Sequence, residues 1–488
     1  MDSHGYSSAI LTKIVTAGGQ LKSFDLAAQM LQQLAEFPIS GRPLGQLTEE
    51  IGAELRARRD EQAAALPPES TRDQQPGVAP SAVAVEVDGG RMHLRTEGQG
   101  RGVHQPHWKE DKIACLVTLE SQPWATDPHP EPPRCFLDRQ RVWRLVREIS
   151  SQRGASAEED VEAVVLPAVV TRAADEAERL PGVRSAEEVV SADRACSVPV
   201  QERAVVLPQT DPFEVCVQVP VVRVPVSALD HSVPVVAAPA PPSAPLARRA
   251  ETAPKWHPQR RLRTCVATID ASERFGKLVA AEAYRRHFYA ASRRAFVGDG
   301  QKYNWTIQSR HFSDFVPITD FAHVLTYVFA AAYAVGGDEG ERWGGYVRWM
   351  TACWQGRVGE VIDELAAWLS GQPPIEPSVK PLPSDPREIV RKTLTYVRNN
   401  QERMDYPHYR CAGLPCMSAW MESLVKEFNY RVKGSEKFWN HGANAEDILQ
   451  VRAAVLSEDD RLANHMRSRP GSVFRRYRQK KTRVKKVA

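Results

Sequence analysis

Residues 263–335 read RTCVATIDASERFGKLVAAEAYRRHFYAASRRAFVGDGQKYNWTIQSRHFSDFVPITDFAHVLTYVFAAAYAV, and their alternation of segment types decides the fold. Short apolar runs at 263–269, 293–300 and 315–320 predict strands. The segments that follow each run carry apolar residues at helical spacing. This alternation is typical of the parallel part of an α/β sheet, so we predict the α/β class with flanking helices.

Three more strands are predicted before this region. In residues 81–98, SAVAVEVDGGRMHLRTEG, apolar residues alternate with others on both sides of Asp88, Gly89 and Gly90. An Asp-Gly-Gly break in such a pattern is typical of a hairpin turn. The run KIACLVTL at 112–119 predicts a third strand. The three would form an antiparallel meander at the start of the α/β domain.

The other segments differ in composition from this domain. Residues 1–65 have helical periodicity with Ser23 as a capping residue, which suits a helix-turn-helix DNA reader or a small helical bundle for dimerisation. A proline-rich stretch follows the first strands and indicates a largely disordered insertion. The predicted boundaries are 1–65 helical, 66–80 linker, 81–154 and 259–336 the two parts of the sheet domain, 155–258 insertion, 337–410 helical, 411–465 the last helices, and 466–488 a basic disordered tail.

Composition excludes several classes of protein. The 488 residues carry a formal net charge of +4, and the eight cysteines include no CxxC pair or Cys/His spacing typical of zinc. No segment has the length and hydropathy of a membrane span, and the first residues do not form a secretory signal. We therefore expect a cytoplasmic protein with reduced cysteines.

Residues 411–439, CAGLPCMSAWMESLVKEFNYRVKGSEKFW, predict an amphipathic helix with one carboxylate, Glu422, near its start. Leu414, Met421, Val425 and Phe428 form its apolar face at helical spacing. The residues expected to point away from that face are Glu422, Lys426, Arg431 and Lys433. A carboxylate among basic residues suits a metal ion and a phosphate backbone.

Two aspartates beside glycines are candidate partners of Glu422. Asp88 precedes Gly89, and Asp299 follows the run AFVG. Carboxylates at strand ends beside glycines can approach one another across neighbouring strands, so with Glu422 they would form an all-oxygen site. Hard divalent ions such as Mg²⁺ prefer such oxygens, and a pair of ions can promote phosphodiester cleavage. For Asp88 alone, a simple turn role is the alternative.

Four motifs occur in a characteristic order: VEVDGG, FVGDGQKYNW, ITDFAHVLTY and the stretch YRCAGLPCMSAWMESLVKEFNYRVKGSEKFW. In this order they resemble bacterial insertion-sequence transposases of the ISKra type, which are DDE transposases related to the mutator-type enzymes. The resemblance covers about 1–65, 81–120 and 263–465. It implies an RNase H-like catalytic core with a mixed sheet, interrupted by an all-helical insertion between 337 and 406.

The resemblance also implies roles for individual residues. Asp88 corresponds to the first aspartate on the first strand, Asp299 to the second on the fourth strand, and Glu422 to the glutamate on the helix after the helical insertion. These three would bind two Mg²⁺ or Mn²⁺ ions. His323 matches a histidine that mutator-like relatives keep near the second aspartate, where it would orient a ligand or contact the scissile phosphate.

Several alternatives remain open. Asp320 ends a strand and could replace Asp299, although the glycines around Asp299 favour the latter because they permit close approach. His323 on an apolar helix could instead be a core residue. Glu427 lies about 140° around the helix from Glu422, so only one of the two can face the site.

The expected partner is double-stranded DNA at the element ends and at the target, bound by a homodimer or larger assembly in the bacterial nucleoid. Basic residues near the site and in the tail would contact its phosphates. The candidates are Lys426, Arg431, Lys433, Lys437, Arg475, Arg476, Arg478, Lys480 and Lys481. Two other functions use parts of the same machinery: an RNase H-like nuclease without strand transfer, and an inactive, domesticated DNA-binding protein.

Overall fold

One mixed sheet organises the protein, whose computed structural model describes residues 6–95, 107–154, 255–374, 381–433 and 438–469. Apart from Lys255, these residues form one compact unit. The strands are β1 Ala82–Leu94, β2 His107–Glu120, β3 Gln259–Thr268, β4 Arg293–Gly298 and β5 Val316–Thr319. Their order is β3-β2-β1-β4-β5, with β1 antiparallel to β2, β2 antiparallel to β3, and β4 parallel to both β1 and β5. The predicted α/β class is confirmed.

The predicted hairpin at Asp88, Gly89 and Gly90 is wrong. β1 continues through these residues, and Gly90 pairs with Asp111 of β2. The glycines serve close packing, because a Cβ on Gly90 would lie 3.0 Å from side-chain oxygens of Asp111 and Asn429. Asp88 therefore stands in the interior of a long strand.

The meander consists of different strands from those predicted. β1 and β2 account for the first two, and the third is β3, which follows the long insertion in sequence and, among the described strands, pairs only with β2. The prediction that residues 263–269 belong to the parallel part is therefore wrong. Only β4 and β5 extend the sheet in parallel from β1. The proline-rich insertion itself lies outside the described residues except for residues 255–258.

Helices lie on both sides of this sheet. The Ser23 side chain accepts a hydrogen bond from the Leu26 N–H at 3.1 Å, which confirms the predicted cap of the second helix. Helices expected after Gly337 are also confirmed. In chain order the helices are α1 Ser8–Gln20, α2 Phe24–Ala35, α3 Gly41–Ala64, α4 Arg139–Gly154, α5 Ser272–Arg285, α6 Lys302–His311, α7 Phe321–Val335, α8 Glu339–Trp354, α9 Val358–Ser370, α10 Pro386–Asn400, α11 Tyr406–Cys411, α12 Ala419–Val432, α13 Gly442–Leu456 and α14 Arg461–Ser468.

The N-terminal helices pack against the C-terminal ones. Leu11 of α1 and Ile51 of α3 share a hydrophobic cluster with Val451 of α13. α3 and α13 approach closely, since a Cβ on Gly52 would lie 2.2 Å from the backbone oxygen of Asp447. None of the helices in the described ranges is long and apolar enough to cross a membrane.

The two faces of the sheet have different coverings. Val85 belongs to a hydrophobic cluster with Phe275 of α5 and Ile307 of α6. Because side chains alternate along a strand, Glu86 and Asp88 point to the opposite face. There α12 packs against β1. The helix predicted to carry the last carboxylate thus lies over the face that carries the first.

Candidate active site

Three aspartates lie at neighbouring positions of the sheet, Asp88 on β1, Asp299 directly after β4 and Asp320 directly after β5. Gly298, the last residue of β4, pairs with Val87 of β1. Asp88 and Asp299, the next residue on each side, therefore lie beside each other. Gly298 also pairs with Thr319 of β5, and its carbonyl accepts a hydrogen bond from the Asp320 N–H at 2.9 Å. Adjacent strands lie about 4.8 Å apart. The three aspartates therefore form a row across neighbouring strands.

Asp299 is held by the turn between β4 and α6. Its Oδ1 accepts hydrogen bonds from the Gln301 N–H at 3.0 Å and from Asn304 Nδ2 at 2.8 Å. Its carbonyl accepts the Tyr396 hydroxyl at 3.0 Å. Gly300 has a φ of 95°, and a Cβ there would lie 2.5 Å from the Tyr396 ring. This glycine is needed for the turn and for packing against α10.

Asp320 is a buried cap that joins two helices. Its Oδ1 accepts the Ala322 N–H at 2.9 Å at the start of α7, and its Oδ2 accepts the hydroxyl of Ser418 at the start of α12. His323, which is 5% exposed, lies with Nε2 at 3.9 Å from the same Oδ2. Burial raises the pKa of Asp320 to about 6, against the hydrogen bonds it accepts, and the charge of Asp299 adds to the increase.

Glu422 lies in the first turn of α12 and faces this row of aspartates. Burial, followed by the negative charge of Asp320, raises the pKa of Glu422 to about 8. Lys426 opposes this shift, whereas Asp88 strengthens it. The carboxylates predicted on β1 and α12 are therefore close enough to interact, and Asp320 interacts with both Asp299 and Glu422.

Glu86 is a fifth acidic residue of this cluster that sequence reasoning did not identify. It is fully buried on the same face of β1 as Asp88. Burial raises the pKa of Glu86 well above its usual range, and Asp320 and Glu422 also raise it. A signal was present, because Glu86 interrupts the otherwise apolar run 82–87 of a strand covered on both faces.

Glu427, the other acidic residue of α12, faces away from the cluster. Its side chain pairs with Arg263 of β3 at 3.4 Å. The expectation that only one of Glu422 and Glu427 faces the site is consistent with this arrangement.

The predicted outward orientation of Arg431 is wrong. The side chain is 2% exposed, and its Nε donates a hydrogen bond to the Gly18 carbonyl at 2.8 Å. Its guanidinium also lies 4.4 Å from the centre of the Phe24 ring. Arg431 connects α12 to the N-terminal helices, so we do not retain it among the DNA contacts.

Of the remaining residues predicted to contact DNA, the structure describes two, Lys426 and Lys433. Lys426 is half exposed and pairs with Glu148 of α4 at 2.5 Å. Lys433 is the residue that ends α12. The other candidates, Lys437, Arg475, Arg476, Arg478, Lys480 and Lys481, lie outside the described residues.

The chemistry of this cluster suits a hard divalent cation. All its charged donors are carboxylates, and burial, together with the charge of neighbouring carboxylates, raises the pKa values of Asp320 and Glu422. Within the described ranges, no three His, Cys, Asp or Glu side chains are already arranged to hold a metal ion. The oxygen donors of this cluster nevertheless fit Mg²⁺ or Mn²⁺ in their chemistry.

Comparisons with known proteins do not add a family assignment. No protein-family model matches the chain, and no curated protein sequence matches it.

Proposed function

We propose that this protein is a DDE transposase with an RNase H-like catalytic domain and that Asp88, Asp299 and Glu422 bind its two divalent ions. The convergence of β1, the end of β4 and the start of α12 on one acidic cluster is the observation that carries this proposal. The first aspartate lies on the first strand and the second directly after the fourth. Glu422 follows the helices α8 to α11, which agrees with the order that the family resemblance implies.

The residues have distinct roles in this proposal. Mg²⁺ or Mn²⁺ bound by the three carboxylates would neutralise phosphate charge and lower the pKa of the attacking water or hydroxyl. Asp320 uses both oxygens to cap α7 and to accept the Ser418 hydroxyl, so it supports the helix that carries Glu422. His323 lies against Asp320 and would help to orient it.

The reaction hydrolyses one phosphodiester bond and then exchanges a second. Water first attacks the phosphate at the element end, which releases a 3′-hydroxyl. That hydroxyl then attacks a phosphate of the target and displaces a target 3′-oxygen. The protein positions the reactants and compensates charge, so no covalent protein intermediate forms. Lys426, Lys433 and the basic tail would contact the DNA backbone, and two or more copies would hold the paired ends.

A cleavage and joining assay tests this function. The full-length protein is incubated with Mg²⁺ or Mn²⁺, a labelled duplex that contains the DNA flanking the gene, and a target plasmid. We expect nicked ends and joined products, and a loss of about 10²-fold or more in Asp88→Asn, Asp299→Asn and Glu422→Gln. Glu427→Gln, on the far side of the same helix, is the matched control and should retain activity.

The two remaining outcomes of this assay would each indicate a different function. Cleavage without joined products would indicate an RNase H-like nuclease. Specific binding to the flanking DNA without cleavage, unchanged in Asp88→Asn, would indicate an inactive DNA-binding protein.

Cysteine substitution distinguishes Asp299 from Asp320 as the second ligand. Thiolate is a soft ligand that accepts Mn²⁺ better than Mg²⁺. We expect Asp299→Cys to lose activity with Mg²⁺ and regain part of it with Mn²⁺. Asp320→Cys should show no such difference, because Asp320 acts through Ser418 and α7. The opposite pattern would assign the ligand role to Asp320.

A further inference from the structure

Glu86 is buried in a way that a purely structural role does not explain. It is 0% exposed, and neither carboxyl oxygen makes a hydrogen bond of normal geometry with any residue in the described ranges. The Met421 N–H at the start of α12 lies near enough to oppose part of the rise in its pKa. A buried carboxyl group without a full partner destabilises a fold.

Other buried glutamates of this protein have basic partners. Glu282 accepts hydrogen bonds from Arg285 at 3.0 Å and from Arg461 at 2.6 Å. Glu446 accepts one from Arg59 at 2.6 Å. These are the paired arrangements expected of structural buried carboxylates. Glu86 has no such arginine or lysine contact among the described residues.

The surroundings of Glu86 direct it towards the acidic cluster. On the sheet it lies between Cys115 of β2 and Val297 of β4, neither of which offers a strong donor. Asp320 and then Glu422 are the acidic groups whose charges most strongly raise the pKa of Glu86. Glu86 therefore lies beneath the start of α12, two residues before Asp88 on the same face of β1.

We propose that Glu86 is an additional oxygen ligand of the divalent-cation site formed by Asp88, Asp299 and Glu422. The inference rests on the proposed function, because it requires that site to bind metal. It is carried by a fully buried carboxyl group whose oxygens have no hydrogen-bond partner of normal geometry among the described residues, and which shares a face with Asp88 and adjoins Glu422. A divalent cation would provide these carboxyl oxygens with a partner.

Direct Mn²⁺ binding to the full-length protein tests this role without any need for activity. Free Mn²⁺ is measured by electron paramagnetic resonance near neutral pH for the wild type, Glu86→Gln, Glu86→Met and Asp88→Asn. We expect Kd to rise about 10-fold or more in both Glu86 variants. Glu427→Gln is the matched control and should bind as the wild type does.

Thermal unfolding without metal separates ligand loss from misfolding. Both Glu86 variants should unfold at a temperature equal to or above that of the wild type, because each replaces a buried acid with a neutral side chain of similar size. Addition of Mn²⁺ should then raise the unfolding temperature of the wild type more than that of either variant.

The outcomes distinguish this inference from the proposed function. Unchanged Kd in folded Glu86→Gln and Glu86→Met, with binding lost in Asp88→Asn, would overturn the role of Glu86 and leave the metal site intact. No Mn²⁺ binding by the wild type would overturn both. If Mn²⁺ binding is weaker in the Glu86 variants but the wild type does not cleave DNA, Glu86 is supported as a metal ligand and the transposase function is rejected.

Discussion

Glu422→Gln should stabilise the metal-free protein at alkaline pH and leave its stability unchanged at acid pH. Burial, followed by the charge of Asp320, raises the pKa of Glu422 from 4.5 to about 8 in the folded protein. Between these values the unfolded chain releases the proton and the folded chain retains it, so ionisation favours unfolding. Glutamine has nearly the same shape and does not ionise. The substitution therefore removes the penalty without creating a cavity.

The expected gain follows from the size of the shift. A change from 4.5 to about 8 corresponds to roughly 5 kcal/mol at about 1.4 kcal/mol per pKa unit. Glu422 is partly exposed, so water screens its charge and we expect about 2 kcal/mol. The gain is absent below pH 4.5, grows as the pH rises through this window and is complete above about pH 8.

Urea denaturation with a chelator present measures this gain. The free energy of unfolding of wild type and Glu422→Gln is compared at about pH 4 and about pH 8.5, on either side of the window. Glu427→Gln is the control, because Glu427 pairs with Arg263 at 3.4 Å and its side chain is 35% exposed. It should lose about 0.5 kcal/mol at the higher pH. An equal difference at both pH values, or a less stable Glu422→Gln at high pH, would refute the electrostatic reasoning.

Three other predictions concern stability, two at the contacts between the N-terminal and C-terminal helices and one in α8. Burial alone would raise the pKa of Glu54, but hydrogen bonds from His465 and Arg469 outweigh this effect and lower the pKa to about 2. Glu54→Gln should therefore lose about 1–2 kcal/mol of unfolding free energy at pH 7, and the loss should shrink below pH 4.5 towards pH 2 in denaturation experiments. Gly52→Ala should destabilise by about 1–3 kcal/mol in the same assay, because its Cβ meets the backbone of α13. Gly344→Ala in α8, with nothing within 4 Å of the new Cβ, should instead stabilise by up to about 1 kcal/mol.

Periodicity predicted the individual elements better than their pairing. The strands at 293–298 and 316–319 and the helices after them have clear local patterns, and the structure contains them. The error at Gly89 and Gly90 has a physical cause. Glycine occurs both in hairpin turns and where another element packs closely against a strand. Here the side chains of Asp111 from β2 and Asn429 from α12 occupy the space beside Gly90. Local sequence does not distinguish these two uses.

The candidate site was predicted in its residue types but not in its full environment. The sequence predicts Asp88, Asp299 and Glu422 as partners, and the structure places them on elements that converge. The capping role of Asp320 depends on Ser418, which is 98 residues away in sequence. Glu86 interrupts an apolar run, but only the packing of α12 shows that its carboxyl group is covered. Burial of Arg431 likewise depends on α1, at the other end of the chain.

The helix α12 connects the acidic cluster with the N-terminal helices. At its start, the Ser418 hydroxyl donates to Asp320 beside the cluster. Near its end, Arg431 donates to the Gly18 carbonyl of α1. Glu422 lies between these two contacts on one short helix, whose backbone hydrogen bonds are internal. If the N-terminal helices read DNA as proposed, their contact with α12 gives the DNA-bound part of the protein a direct physical connection to the carboxylate that completes the site.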